Sequence, residues 1–482
     1  MDRNTIPQTG KPASGEKLVV EVETMGAEAM GIAYRDGLAV LIPRGLPGER
    51  VEVTVECLHP RYVVGRCDAV LEPSPVRVEP ACGDFGRCGG CDWQHANYAA
   101  QLEFKRRVVE DQLLRIGGIA SPPDWEIVPS PQELEYRERL DFLTVRQQGL
   151  LLPGFHGVET GARVSISRCH LAPATFTELA RFTLEILSAT EADGGARGPT
   201  RVTVQSAAET DDPAGLAVTL HFTHPAAAER LAAEPGKLLD PLVQAFPQLK
   251  VVALSVKARS RGNSAAEWQI LKGGPDLRKI VGGKSYSVPL AGFFQVNLPQ
   301  AERLVAEVTG ILAEALPLTP ASAEAPWVFD LFCGVGLFTL PLAELGYRVV
   351  GLERERRAVR AARQTARDWG VARCRFHTAD LARPGVFEAA VANHGRPAFV
   401  LVNPPRRGLP TGLADSLLRE GPPLLLYVSC DGGTFARDVA RLAPHYRLQF
   451  LRGFDLFPQT HHLELLAVFR REISESFQTR KK

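Results

Sequence analysis

Between Lys17 and about Val70 apolar and polar residues alternate in short runs: Leu18-Val19-Val20-Glu21-Val22, Gly31-Ile32-Ala33-Tyr34, Leu38-Ala39-Val40-Leu41-Ile42, Val51-Glu52-Val53-Thr54-Val55 and Tyr62-Val63-Val64-Gly65-Arg66. A period of two predicts half-buried strands, and turns at Arg35-Asp36-Gly37 and at residues 43–49 separate them. Five short strands within about 55 residues predict a small β-barrel. A charged stretch from about Asn97 to Ile116 reads as a helix. Residues 120–280 mix strand-like pieces, such as Ser165-Ile166-Ser167 and Arg201-Val202-Thr203-Val204, with a helix near 174–190. Two segments rich in alanine and acid, 189–199 and 207–215, read as loops. Beyond about residue 290 strands and helices alternate regularly, which predicts a parallel sheet covered on both faces. The expected organisation is a barrel over residues 15–73, a central α+β domain over 74–285 and an α/β domain over 286–482. Pro73-Ser74-Pro75 reads as a linker, and polar residues 1–14 as disordered.

The α/β region carries chemistry at its strand ends. Trp327-Val328-Phe329-Asp330-Leu331 is an apolar strand followed by Phe332-Cys333-Gly334-Val335-Gly336 and then a helix. Glycines let a backbone approach a ligand closely, and the helix offers its first N–H groups. The next strand, Arg348 to Leu352, ends in Glu353, where an acid would accept ribose hydroxyls. A third, Arg375 to Thr378, leads to Asp380, placed to meet an adenine amino group. The pattern Asp-x-x-x-Gly-x-Gly lacks the third glycine of a dinucleotide site and looks like the S-adenosylmethionine version of the doubly wound fold. Two further apolar runs end in Asn403-Pro404-Pro405-Arg406-Arg407-Gly408 and in Cys430-Asp431-Gly432-Gly433. A thiol at a strand end before a glycine turn is placed as nucleophiles of α/β enzymes commonly are.

Composition narrows the setting. Hydrophobic residues make up 45% and charged residues 23% of the 482, as in a soluble globular protein. Met1-Asp2-Arg3-Asn4 lacks the apolar core of a signal peptide and no apolar run is long enough to span a bilayer, so a cytoplasmic location is expected. The formal net charge is only +1, yet 45 of the 56 basic residues are arginine, whose planar fork suits phosphate contacts and base stacking. Nine cysteines in a reducing compartment point to metal or catalysis rather than disulfides. Cys82, Cys88 and Cys91 form C-x5-C-x2-C in a glycine-rich loop, and Cys169 follows 78 residues later. Four thiolates suit either zinc or a [4Fe-4S] cluster. Cys333 lies in the glycine turn; Cys57, Cys67 and Cys374 are expected only to pack.

Taken together, the chain resembles the RNA uracil-C5 methyltransferases that make 5-methyluridine. The matching segments are Phe293-Phe294-Gln295-Val296-Asn297, Asp330 to Gly336, Asn403 to Gly408, Tyr427-Val428-Ser429-Cys430 and His461-His462-Leu463-Glu464. Gly31 to Gly37 and Leu46-Pro47-Gly48-Glu49 resemble a TRAM domain, an OB-like RNA-binding module. The resemblance implies a Rossmann-like class I S-adenosylmethionine-dependent methyltransferase domain, preceded by the TRAM-like barrel and a central iron-sulfur domain. It implies that Gln295, Asp330, Phe332, Gly334, Gly336, Glu353, Asp380 and Asn403 form the cofactor site, and that Cys82, Cys88, Cys91 and Cys169 bind [4Fe-4S]. Cys430 would be the nucleophile that adds to carbon 6 of uracil, and Glu464 the base that removes the carbon 5 proton. The implied partner is RNA, with 23S rRNA first and a tRNA T-loop second, presenting a uridine that is flipped out or lies in a loop.

Two details bear on alternatives. The family more often has aspartate where this chain has Asn403, and the asparagine form occurs in a subgroup of 23S rRNA enzymes that generally lacks the TRAM-like barrel. Asn-Pro-Pro also heads a motif of amino-methyltransferases, but there an aromatic residue usually follows, and here Arg406 does. A non-catalytic RNA-binding protein keeping the fold is the reading of another class; the retained Cys430, Glu464 and Gly-x-Gly speak against it. Nothing in the sequence calls for a dimer.

Overall fold

The computed structural model describes residues 12–158, 161–191, 198–208, 215–257, 266–318 and 325–472. Most of the expected N-terminal disorder (residues 1–11), and parts of the two expected loops (192–197 and 209–214), lie outside the described residues.

The first sheet has six strands: Lys17–Glu21, Thr24–Met25, Met30–Arg35, Leu38–Pro43, Arg50–Leu58 and Tyr62–Glu72. It curls around a core that includes Leu18, Val20, Val40, Ile42, Val51, Val53 and Val63, the inward positions of the period-two pattern. Thr24–Met25 is a strand too short for alternation to reveal. Asp36 (φ 49°) and Gly37 (φ 80°) form a two-residue hairpin loop in which both φ values are positive, the geometry that matches strand twist. Pro73-Ser74-Pro75 is tied down rather than a free linker. Ser74 Oγ donates to the Pro47 carbonyl (2.8 Å), and Arg77 pairs with the fully buried Glu49 carboxylate.

A second sheet of seven strands, built from residues 139–272, packs on the helices Ala174–Glu191, Pro225–Ala233 and Gly236–Ala245 over a core around Phe142, Leu179, Val204 and Leu254. The helix Tyr98–Arg115, capped by the Asn97 side chain on Ala100 N–H, joins the N-terminal parts to the C-terminal sheet. Its Lys105 is fully buried and pairs with the equally buried Asp455 at 2.6 Å; Tyr98 donates to the other Asp455 oxygen at 2.9 Å. Breaking such a pair by removing one partner leaves an uncompensated buried charge, so the segment from 455 onward is held firmly.

The C-terminal sheet contains β1 (Trp327–Leu331), β2 (Arg348–Glu353), β3 (Cys374–Thr378), β4 (Phe399–Val402), β5 (Leu424–Ser429), β6 (Tyr446–Phe454) and β7 (Glu464–Arg471). The order is β3-β2-β1-β4-β5-β7-β6, with the two-residue strand Ile127–Val128 added beside β6. Strands β1 to β5 are parallel and β7 runs antiparallel between β5 and β6. Strand order reverses between β1 and β4, so a crevice opens at the carboxyl ends of these strands. Among the described residues, no helix is long and apolar enough to cross a membrane.

Candidate active site

The carboxyl end of β1 turns sharply. Phe332 takes φ 64°, a strained value for a residue with a side chain, and Gly334 takes φ 56°. The Phe332 and Cys333 N–H groups both donate to the Leu352 carbonyl (2.9 and 3.1 Å), clamping the turn to β2. Glu353, at the end of β2, accepts from Gly334 N–H at 3.1 Å and from Glu355 N–H at 2.8 Å. A Cβ built on Gly334 would meet no atom within 4 Å, so open space faces this turn beside a partly exposed carboxylate. That cradle fits a ligand with ribose hydroxyls. Asp330 lies beneath it, fully buried: one oxygen accepts from Thr339 Oγ1 at 2.5 Å and the other has no partner. Burial pushes its carboxyl up to about 7. Asp380 follows β3 and accepts from Ala382 N–H at 3.2 Å, and Asn403 N–H donates to the Leu331 carbonyl at 3.2 Å. Gln295 is buried on the segment entering the helix Leu298–Ala315, without a hydrogen bond to the β1 turn.

On the other side of the crevice Ser429 pairs with Leu465, so continuing the antiparallel β5–β7 ladder by one residue sets Cys430 opposite Glu464. Cys430 is partly buried and Glu464 is 2% exposed. Burial pushes the Glu464 carboxyl up to about 8. Burial, then the nearby Glu464 charge, pushes the Cys430 thiol up to about 11, while the Arg406 guanidinium opposes the rise. Arg406 Nη2 donates to His462 Nε2 (3.3 Å), the His461 and His462 rings stand 4.2 Å apart, and His461 Nδ1 meets Asp92 Oδ2 at 2.8 Å. A thiol, a carboxyl group and a cation thus share one end of the sheet, across from the β1 turn.

Three family models match the chain: a TRAM domain over residues 13–67, a methyltransferase domain over 328–394 and tRNA (Uracil-5-)-methyltransferase over 392–472. The 23S rRNA (uracil(1939)-C(5))-methyltransferase RlmD of Dechloromonas aromatica is 31% identical, with 93% of this chain and 98% of the relative covered. The chain belongs to the RNA uracil-C5 methyltransferase family. The same-named enzyme of Bordetella parapertussis is also 31% identical, over 94% of this chain and 92% of its own. Among solved structures, the tRNA (uracil-54, C5)-methyltransferase of Pyrococcus abyssi in complex with S-adenosyl-L-homocysteine superposes with a TM-score of 0.69 at 26% identity, covering 94% of this chain and 100% of that one. As a member of this family the protein is an S-adenosylmethionine-dependent RNA uracil-C5 methyltransferase, and the non-catalytic reading falls away.

Cys82, Cys88, Cys91 and Cys169 line a single cavity of about 260 Å³ together with Arg137 and Phe155. Burial pushes the Cys88 thiol up to about 11 and that of Cys91 up to about 12. Their donor chemistry fits a thiolate-ligated centre. Among the described residues, however, no group of three or more His, Cys, Asp or Glu side chains stands ready to hold a metal ion, so the expected quartet is gathered but not converged. Of the cysteines expected only to pack, Cys67 and Cys374 lie against hydrophobic cores, whereas Cys57 is exposed.

One residue escaped notice in the sequence. Asp438 is fully buried and accepts from Leu409 N–H (2.7 Å), the Tyr427 hydroxyl (2.8 Å) and Arg437 Nη2 (2.8 Å), while Arg437 Nη2 also reaches the Arg407 carbonyl at 2.7 Å. It therefore pins the loop after β4, with Arg406, to β5, which carries Cys430. The available signal was a carboxylate on the apolar face formed by Phe435, Val439 and Leu442 of the helix Gly432–Leu442.

Proposed function

We propose that the protein methylates a uridine of 23S rRNA through a covalent bond between Cys430 Sγ and carbon 6 of the base. The observation that carries this reading is the placement of Cys430 opposite Glu464 on neighbouring strands, across the crevice from the glycine turn. Carbon 5 of uracil is a poor nucleophile. Attack of the Cys430 thiolate on carbon 6 gives an enolate with electron density at carbon 5. S-adenosylmethionine supplies an electrophilic methyl group, and Gln295, Asp330, Phe332, Gly334, Gly336, Glu353, Asp380 and Asn403 are proposed to form its site. Glu464 then takes the proton from carbon 5, the electron pair restores the 5,6 double bond, and the Sγ–carbon 6 bond breaks. Arg406 favours the thiolate electrostatically.

The 23S assignment rests on relatives 31% identical over nearly the whole chain. A tRNA target is the second reading, favoured by the structural likeness to the Pyrococcus abyssi enzyme. Transfer of labelled methyl groups to separate 23S rRNA and tRNA transcripts decides between them: incorporation into 23S rRNA alone is expected, and incorporation into tRNA alone would move the assignment. The protein is proposed to act in the cytoplasm.

The four cysteines lining one cavity are further proposed to hold a [4Fe-4S] cluster. Anaerobically purified protein should contain four irons and four sulfides per chain, and a Cys88→Ser, Cys169→Ser variant should lose them. One zinc and no sulfide per chain would instead select the zinc site.

A further inference from the structure

Positive charge is concentrated at the β3 edge of the catalytic sheet, outside the active site. Residues 354–379, between Glu353 and Asp380, carry eight arginines against two carboxylates, in a chain whose formal net charge is +1. Five of these arginines lie on the helix Arg356–Asp368, and Arg375 lies on β3, which closes one side of the sheet order. Between helix and strand lies a cleft of about 550 Å³ lined by Arg363, Arg367, Arg375, His377, Cys374 and Phe376, among others.

The way these arginines are held matters more than their number. Arg360 pairs with Asp276 (3.1 Å) and Arg278 with Asp368 (3.0 Å) nearby, so part of the charge is neutralised within the protein. Among the described residues no carboxylate lies within 4 Å of Arg363, Arg367 or Arg375. Arg363 is anchored on the Phe376 carbonyl, Arg367 on Gln364 Oε1 (2.6 Å), and Arg375 lies 5.8 Å from the Trp327 ring centre. These contacts hold the guanidinium groups in place without cancelling their charge. His377 and His394 rings stand 5.2 Å apart at the same edge, adding flat surfaces next to the cations. Burial, then the Arg363 and Arg375 charges, hold the His377 imidazole below its ordinary range.

We propose that this cleft is an accessory RNA-backbone site, in which Arg363, Arg367 and Arg375 hold phosphates of a substrate segment distant from the target uridine. The proposal rests on the protein acting on RNA and adds a second point of attachment to it. Neutralised phosphates release condensed counterions, so such a site contributes salt-sensitive affinity without sequence preference. The second point of contact also favours long structured RNA over a short fragment carrying the target.

The test compares wild type with Arg367→Glu, Arg375→Glu and with Arg367→Lys, Arg375→Lys, each first shown to unfold at the wild-type temperature. The charge-reversed variant should bind a long structured RNA without unpaired uridines about tenfold or more weakly, with a log–log salt slope shallower by about two. The lysine variant should stay near wild type, because a phosphate accepts a point charge. For methyl transfer, KM for the long substrate should rise while kcat, and both constants for a short stem-loop, stay unchanged. Unaltered affinity and slope for the long RNA would overturn the proposal, as would equal losses on the long and short substrates. Binding to RNA that lacks a methylatable uridine needs no turnover, so failure of the catalytic reading is seen separately.

Discussion

Replacing Cys430 by alanine is expected to lower single-turnover methyl transfer to RNA by at least about 10⁴-fold, because the uracil then remains an unactivated carbon nucleophile. Cys430 is the cysteine that follows β5, opposite Glu464; of the others in the catalytic sheet, Cys333 is buried in the glycine turn and Cys374 lies at the start of β3. S-adenosylmethionine affinity should be unchanged, since the turn proposed to face it is clamped by Leu352 and Glu353 rather than by β5. The denaturation midpoint should also be near wild type, as Cys430 sits at the strand end and is only partly buried. A Cys430→Ala protein that binds cofactor and RNA normally and still methylates at the wild-type rate would eliminate the covalent route. Wild type run with a uridine analogue carrying fluorine at carbon 5 supplies the complementary measurement. With no proton there to remove, the enzyme should stay bonded to the RNA and migrate as a denaturation-resistant complex, which Cys430→Ala should not form.

The parallel core of the catalytic sheet was legible because each strand announces itself twice, by a short apolar run and by the polar or glycine residue that ends it. Phe332-Cys333-Gly334, Glu353, Asn403 and Cys430 all sit at carboxyl ends of strands, and the crevice follows from strand order. The partnership of Cys430 with Glu464 is of another kind. The two lie 34 residues apart, and nothing in spacing says that β7 inserts antiparallel between β5 and β6; only the family motif linked them in the sequence. Lys105 and Asp455 are separated by 350 residues, and their mutual burial depends on how the helix Tyr98–Arg115 docks. A buried ion pair carries no local periodicity, so it is invisible before the tertiary structure is known. The same limit explains Ser74, read as part of a linker but held by Pro47 and its neighbours. Cysteine spacing led to the expectation of a four-thiolate centre; the four cysteines line one cavity, but among the described residues no three ligands stand ready to hold a metal ion, a closeness that spacing does not encode.

Glu464→Gln is expected to separate the two halves of the reaction. The variant keeps the size and shape of the side chain and loses its capacity to accept a proton, so Cys430 addition and methyl transfer proceed while elimination stalls. The methylated RNA should therefore accumulate as a covalent adduct on Cys430, with product release slower by roughly 10³-fold or more. The adduct should disappear in the Cys430→Ala, Glu464→Gln double variant. The pH dependence gives an independent check. A carboxyl pushed up to about 8 is protonated below that pH and competent as a base above it, so wild-type elimination should quicken as pH rises toward 8 and then level off. In Glu464→Gln that rise should vanish. Stability should move in the opposite direction. A carboxyl whose pKa is raised by folding makes the native state bind more protons than the unfolded chain; its contribution is therefore fullest below the unfolded value of 4.5 and is lost as pH rises through about 8. Relative to wild type, Glu464→Gln should gain resistance to denaturant between about pH 5 and pH 9, by on the order of a few kcal/mol, because an amide avoids ionising within the sheet. A Glu464→Gln enzyme that released methylated RNA at the wild-type rate and showed the same pH profile would remove Glu464 from the role of base.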